Sequence, residues 1–158
     1  AAGLMDALYG ESRVDTGSGR VNDPSRKRPG DVCIYAINCD GSYEKSFEVK
    51  DKPVSATEVQ LFIRNGLDKF SVTDFGYLAL AKSQSKLDEA PIVLWASERG
   101  ADIVIFYNWL DFVRQAFFWT PERTDQLART AVVRIAERLK EIEASADALE
   151  LWNSQVGQ

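Results

Sequence analysis

Two acids and a lysine mark the ends of two alternating segments, DVCIYAI and YEKSFEVK, which are joined across a loop containing Asp-Gly. Asp31 opens the first segment, and Glu48-Val49-Lys50 closes the second. Two carboxylates within reach of one another are oxygen donors for a hard divalent cation, and a lysine beside them can balance charge on a reacting group. The same residues also describe an ordinary hairpin face turned to solvent, with Glu and Lys in opposition. Spacing alone leaves both readings open, because Glu-x-Lys arises by chance in most proteins.

The elements that must position these side chains are two strands and their turn. Asp40-Gly41 is a two-residue hairpin signal. It predicts Cys39 opposite Ser42, Cys33 opposite Glu48 and Asp31 opposite Lys50. Opposed residues share a face and successive side chains alternate. Asp31, Glu48, Lys50 and Lys52 then project from one face, and Val32, Ile34, Phe47 and Val49 from the other. Opposed Cβ atoms lie about 5 Å apart and diagonal ones about 7 Å, so Asp31 and Glu48 can reach one ion. Cys33 and Tyr35 on the charged face point to a covered surface, where charges need partners or a metal. A three-residue loop would reverse one strand and separate the acids.

Around this hairpin, residues 2–11 read as a short helix, and 12–30 as a loop rich in Gly, Ser, Pro and Arg with a short strand at Arg20–Val21. Pro53 stops the second strand. Ser55-Ala56-Thr57-Glu58 is a capping box that opens the helix TEVQLFIRNGLDKF. FGYLALAK and DIVIFY read as strands, separated by a helix over 88–99 with Pro91 in its first turn. Asn108 caps a short helix, and Thr120-Pro121 opens a long last one, with Leu127, Ala131, Ile135, Leu139, Ile142, Ala146 and Leu149 on the face packed against the sheet. Trp95, Trp109, Phe117, Phe118 and Trp119 read as core. The expected fold class is α/β: a mixed β-sheet with an antiparallel hairpin, flanked by helices, in a single domain over 1–158.

With 158 residues, 45% hydrophobic and 27% charged, the chain is long enough for one core and too short for two comfortable domains. No apolar run approaches the roughly 18 residues of a membrane span. The first residues, AAGLMDALYG, lack a basic start and a long apolar stretch, so no secretory signal is expected; without an initiator Met the sequence reads as a processed or partial chain. Cys33 and Cys39 are too few for a disulfide scaffold or a four-ligand zinc set, which fits a reducing cytoplasm. There is no histidine. Catalytic triads with an imidazole base and histidine-ligated metal chemistry are excluded, leaving a carboxylate, lysine, tyrosine or metal-activated water as base. Against a net charge of −5, basic residues gather at Arg13, Arg20, Arg26, Lys27 and Arg28, which allows one basic surface on an acidic protein.

The pattern Asp31…Glu48-Val49-Lys50 resembles the PD-(D/E)xK nuclease motif, and the order of elements resembles that superfamily's core. AAGLMDALYGE, VNDPSRKRPGDV, FEVKDKPVS, FFWTPE and LELWNSQ, in order over nearly the whole chain, look like the C-terminal catalytic part of SacI-type restriction endonucleases. Family members are longer at the N-terminus, so the chain is expected to represent their catalytic region. The resemblance implies a restriction-endonuclease-like sheet and a type II restriction endonuclease that hydrolyses phosphodiesters of double-stranded DNA with Mg²⁺ at a specific, palindromic site. It implies Asp31 and Glu48 as metal ligands with the Val49 carbonyl, and Lys50 as the residue that stabilises charge or orients the attacking water. It implies Glu11 as an additional carboxylate, and Lys52 as a residue able to share or take the role of Lys50. Arg20, Asn22, Arg26, Lys27 and Arg28 become DNA contacts, Asn22 as a reader of a base edge. Gly30 between Pro29 and Asp31 departs from the literal Pro-Asp pair. The implied partners are a second copy of the chain in a homodimer and, in the cell, a cognate DNA methyltransferase. A repair or recombination nuclease on the same core, a catalytically silent DNA-binding domain and an interaction domain remain as alternatives.

Overall fold

The structure, a computed structural model, describes residues 1–16, 28–37, 41–121 and 123–156. Helix α1 (Ala2–Tyr9) and a 3-10 turn (Glu11–Arg13) lead into β1 (Val14–Thr16), β2 (Val32–Tyr35) and β3 (Tyr43–Lys50). Then come α2 (Ala56–Phe70), β4 (Asp74–Ala79), α3 (Glu89–Ser97), β5 (Asp102–Phe106), α4 (Trp109–Phe118), α5 (Thr124–Glu141) and α6 (Ala146–Val156). The sheet runs β1-β2-β3-β4-β5, antiparallel up to β3 and parallel from β3 onward. It is the mixed sheet expected, with the hairpin on one side and two crossover helices on the other.

Alternation along the strands creates two cores. Val59, Phe62 and Ile63 of α2 and Ile92 of α3 bury against Phe75, Tyr77, Ile103 and Ile105 on one face. Leu4 and Met5 of α1 and Phe112 and Ala116 of α4 bury against Ile34, Phe47, Leu78 and Phe106 on the other. Each such side chain contributes about 1.5–3 kcal/mol. Helix α2 starts where the sequence says: the Ser55 hydroxyl accepts from the Glu58 N–H at 3.3 Å, and the Glu58 carboxylate accepts from the Ser55 N–H at 2.8 Å. The Asn108 side chain likewise caps α4, accepting from the Asp111 N–H at 2.9 Å.

Several expectations are corrected. Val14–Thr16, read as loop, is an edge strand with Val14 opposite Ile34 and Asp15 opposite Cys33. The expected strand at Arg20–Val21, and Asp40 of the turn, lie outside the described residues. The last long helix begins at Thr124 rather than at Thr120-Pro121. Trp119 packs its ring against Phe47 and Phe106, so the chain stays anchored at the end of α4 and uses the next residues to turn. That helix is also two helices, parted where Glu143 takes a left-handed φ of 50°. Its early part packs on α1 rather than on the sheet. Gly3 permits the approach, since a Cβ there would stand 2.6 Å from the Ile135 backbone. Beyond the reach of α1 the stripe opens to solvent among the described residues, and Ile142 is left 56% exposed. The aromatic run of α4 also exceeds the one face it can bury, and Phe118 is 83% exposed.

Candidate active site

Strand β3 carries the site. Ser46, Glu48 and Lys50 point toward α2, while Phe47 joins the opposite core. The register is two residues from the predicted one: Val32 pairs with Phe47 and Cys33 with Ser46, which sets Asp31 beside Glu48 rather than Lys50. An even shift preserves which side chains share a face, so the convergence survives. Near the turn Tyr35 faces Tyr43, and a bulge between Ile34 and Tyr35 absorbs the odd residue. Without that bulge the acids would sit on opposite faces.

Gly30 explains the residue inserted before Asp31. A Cβ at Gly30 would collide with the Ser46 hydroxyl and come 2.7 Å from the Phe47 carbonyl oxygen, so only glycine lets the chain cross β3 this closely. The crossing fixes Asp31 at both ends. Its N–H donates to the Phe47 carbonyl at 2.9 Å, and its carboxylate accepts from the Val49 N–H at 3.0 Å. The Lys50 ammonium then contacts Glu48 directly and lies 3.8 Å from Asp31. Glu48 is 8% exposed, a buried carboxylate that depends on its countercharge.

Tyr77 of β4 lies opposite Glu48 in the register and is 2% exposed. Burial first, then the negative charges of Glu48, Glu58 and Asp31, push its phenol well above the usual range, so it stays a neutral donor. Cys33, beneath the site, is pushed up to about 11 by burial, which keeps it a neutral thiol rather than a thiolate nucleophile. Cys33 was expected on this face as a sign that it is covered, and Tyr77 went unremarked as a site feature in the sequence. The alternation of FGYLA was the available signal for Tyr77.

The cluster opens on a cleft of about 290 Å³ between β3 and α2. Arg28, Glu48 and Lys50 form one wall, Phe62 and Tyr77 the floor, and Asn65 and Lys69 the opposite wall. The acid and lysine sit at the C-terminal end of β3, where open sheets place their ligands. Arg28 lies 3.4 Å from Asp15, which also accepts from the Tyr43 hydroxyl at 2.6 Å.

Other predicted residues fall elsewhere. The Glu11 carboxylate lies 2.9 Å from Arg134 of α5, in an exposed pair that ties the start of the chain to that helix. Lys52 stands past the end of β3, 65% exposed, 3.4 Å from Glu58 and outside the cleft lining. Arg20, Asn22, Arg26 and Lys27 lie outside the described residues. Among the described residues no three or more of His, Cys, Asp and Glu gather as a metal set. Two carboxylates are nonetheless what Mg²⁺ asks of a protein, since it keeps several waters and takes one or two carboxylates. The donor set fits Mg²⁺ and does not fit a closed zinc or calcium cage. Among the described residues no helix is long and apolar enough to cross a membrane.

No protein-family model matches the chain. In sequence it is similar to the type II restriction enzyme SacI of Streptomyces achromogenes, at 31% identity over 157 residues. That match covers 96% of this chain and 40% of the restriction enzyme, so the chain spans about two fifths of the relative's length.

Proposed function

We propose that this chain is the catalytic region of a site-specific DNA endonuclease of restriction type, built on a PD-(D/E)xK-like core. The observation that carries the reading is the meeting of Asp31, Glu48 and Lys50, the last two of which line one cleft. Similarity to a restriction enzyme over nearly the whole chain supports it.

The reaction is hydrolysis of a phosphodiester: a water oxygen bonds to phosphorus, one ester P–O bond breaks, and the departing oxygen takes up a proton. Asp31 and Glu48, with the Val49 carbonyl, would hold Mg²⁺. Bound there, the ion would supply Lewis acidity toward the phosphate and lower the pKa of water. Asp31 is kept in place by the Val49 N–H, so it enters the reaction already oriented. Lys50 puts its ammonium beside both acids, where it offsets the charge that builds on the phosphoryl oxygens. Arg28 at the rim contacts a backbone phosphate. In this reading Glu11, paired with Arg134, and Lys52, paired with Glu58, take no part in holding the ion.

Cutting both strands of a palindrome requires two such sites, so a two-fold homodimer accompanies this reading, as do a cytoplasmic location and a cognate DNA methyltransferase. The test is digestion of plasmid DNA. Discrete fragments that need Mg²⁺ and vanish with a chelator are expected. Salt-dependent binding with no cutting at any Mg²⁺ concentration, in a preparation shown to be folded, would contradict the reading.

A further inference from the structure

We infer that the α2 wall of the cleft is a second phosphate-binding edge, on which Lys69 and Asn65 hold the DNA strand as it passes away from the acids. The inference rests on the nuclease reading and adds to it the path of the strand.

Glu58, Leu61, Asn65 and Lys69 recur at three- or four-residue steps along α2, and together with Phe62 they line the cleft. From Glu58 to Lys69 the helix rises about 16 Å, at 1.5 Å per residue. A DNA strand carries one phosphate for about every 3.4 Å of axis, so a groove of this length takes several nucleotides. Its two ends differ in charge. At one end stands Glu58, whose carboxyl is held below the usual range first by the Ser55 N–H. At the other stands Lys69 on α2, with Arg28 on the facing wall.

A chain of contacts sets Arg28 at the Lys69 end. Arg28 is paired with Asp15, Asp15 accepts from Tyr43, and the Tyr43 ring meets that of Phe70, the neighbour of Lys69, at 6.3 Å between centroids. At one end Glu58 is already paired with Lys52 at 3.4 Å, whereas a phosphate is drawn between the two cations at the other. Among the described residues Arg28 and Lys50 are ion-paired and Lys69 is not, which leaves its ammonium to the ligand. Asn65, one turn earlier on the same stripe, offers amide donors to the same stretch of backbone.

Binding of a labelled duplex, measured against salt concentration with Ca²⁺ in place of Mg²⁺, tests this without requiring cleavage. Lys69→Ala is expected to weaken binding about fivefold and to lower the salt slope by about one, as for a lost phosphate contact. Lys69→Arg should restore the slope, and Asn65→Ala should weaken binding while leaving the slope unchanged. Arg64→Ala removes an exposed charge from the same helix but outside the cleft, and should match wild type. If Lys69→Ala tracks Arg64→Ala, or loses affinity with an unchanged slope, the α2 edge is overturned while the roles of Asp31, Glu48 and Lys50 stand. A wild-type chain with no salt-dependent DNA binding overturns both readings.

Discussion

Two clusters of carboxylates and cations sit in this molecule, and they are built to opposite designs. Between α1 and α5, the Arg138 guanidinium grips Asp6 through two bonds of 2.7 and 2.9 Å, and the Asp6 side chain is 2% exposed. The guanidinium meets Asp6 in a fork geometry and reaches Glu141 at 2.9 Å, and Arg138 is held charged, chiefly by the bond to Asp6. On β3, two carboxylates share the Lys50 ammonium at the mouth of a cleft, with Lys50 and Asp31 side chains 27% and 30% exposed. The first cluster joins two helices and is shut. The second faces open space and has room for a ligand. Each is one cation against two carboxylates, so the difference shows how a structural ion pair is told from a reactive one: by what lies in front of it.

Substitutions should separate the two. The largest stability loss is expected for Arg138→Ala, which strands a buried carboxylate at a cost of about 3–5 kcal/mol in urea unfolding, while cutting per folded molecule persists. Next comes Gly3→Ala, which forces α1 off the Ile135 backbone and should cost about 1–3 kcal/mol. The same unfolding assay repeated at rising pH reports on the buried phenols. Tyr43 and Tyr77 have raised pKa values, mainly through burial. The unfolded chain loses those protons near pH 10 and the folded chain does not. Stability is therefore intact below pH 10 and should fall as pH rises above it. The smallest effect belongs to Glu11→Gln, at most about 1 kcal/mol for an exposed pair, with cutting retained. A Glu11 variant that stays folded but stops cutting would move Glu11 from the structural group to the reactive one.

The sequence revealed those parts of the site that depend on local rules. Which side chains of β2 and β3 share a face follows from a period of two, and Ser55 with Glu58 announces a helix start within four residues. Register was not legible, because a bulge near the turn changes the pairing without leaving a mark in the pattern. Strand β1 has three residues, too few for alternation to show, and it is a strand because β2 offers it an edge. The break between α5 and α6 is silent for a related reason: the apolar steps continue through it, and only the reach of α1 decides how far they are buried. Asn65, Lys69 and Tyr77 come to share one cleft with Glu48 through the β3-α2-β4 crossover, so no spacing in the chain could have placed them together.

The central claim is that the open cluster performs the chemistry and the closed one does not. Mg²⁺-dependent plasmid digestion by Lys50→Ala, run beside Arg138→Ala and wild type at equal concentrations of folded protein, tests it most directly. Lys50→Ala should cut at least about 100-fold more slowly per folded molecule while still binding DNA, and should melt somewhat earlier because Glu48 loses its countercharge. Arg138→Ala should melt earlier and cut normally. A Lys50→Ala protein that cuts as fast as wild type would contradict the account.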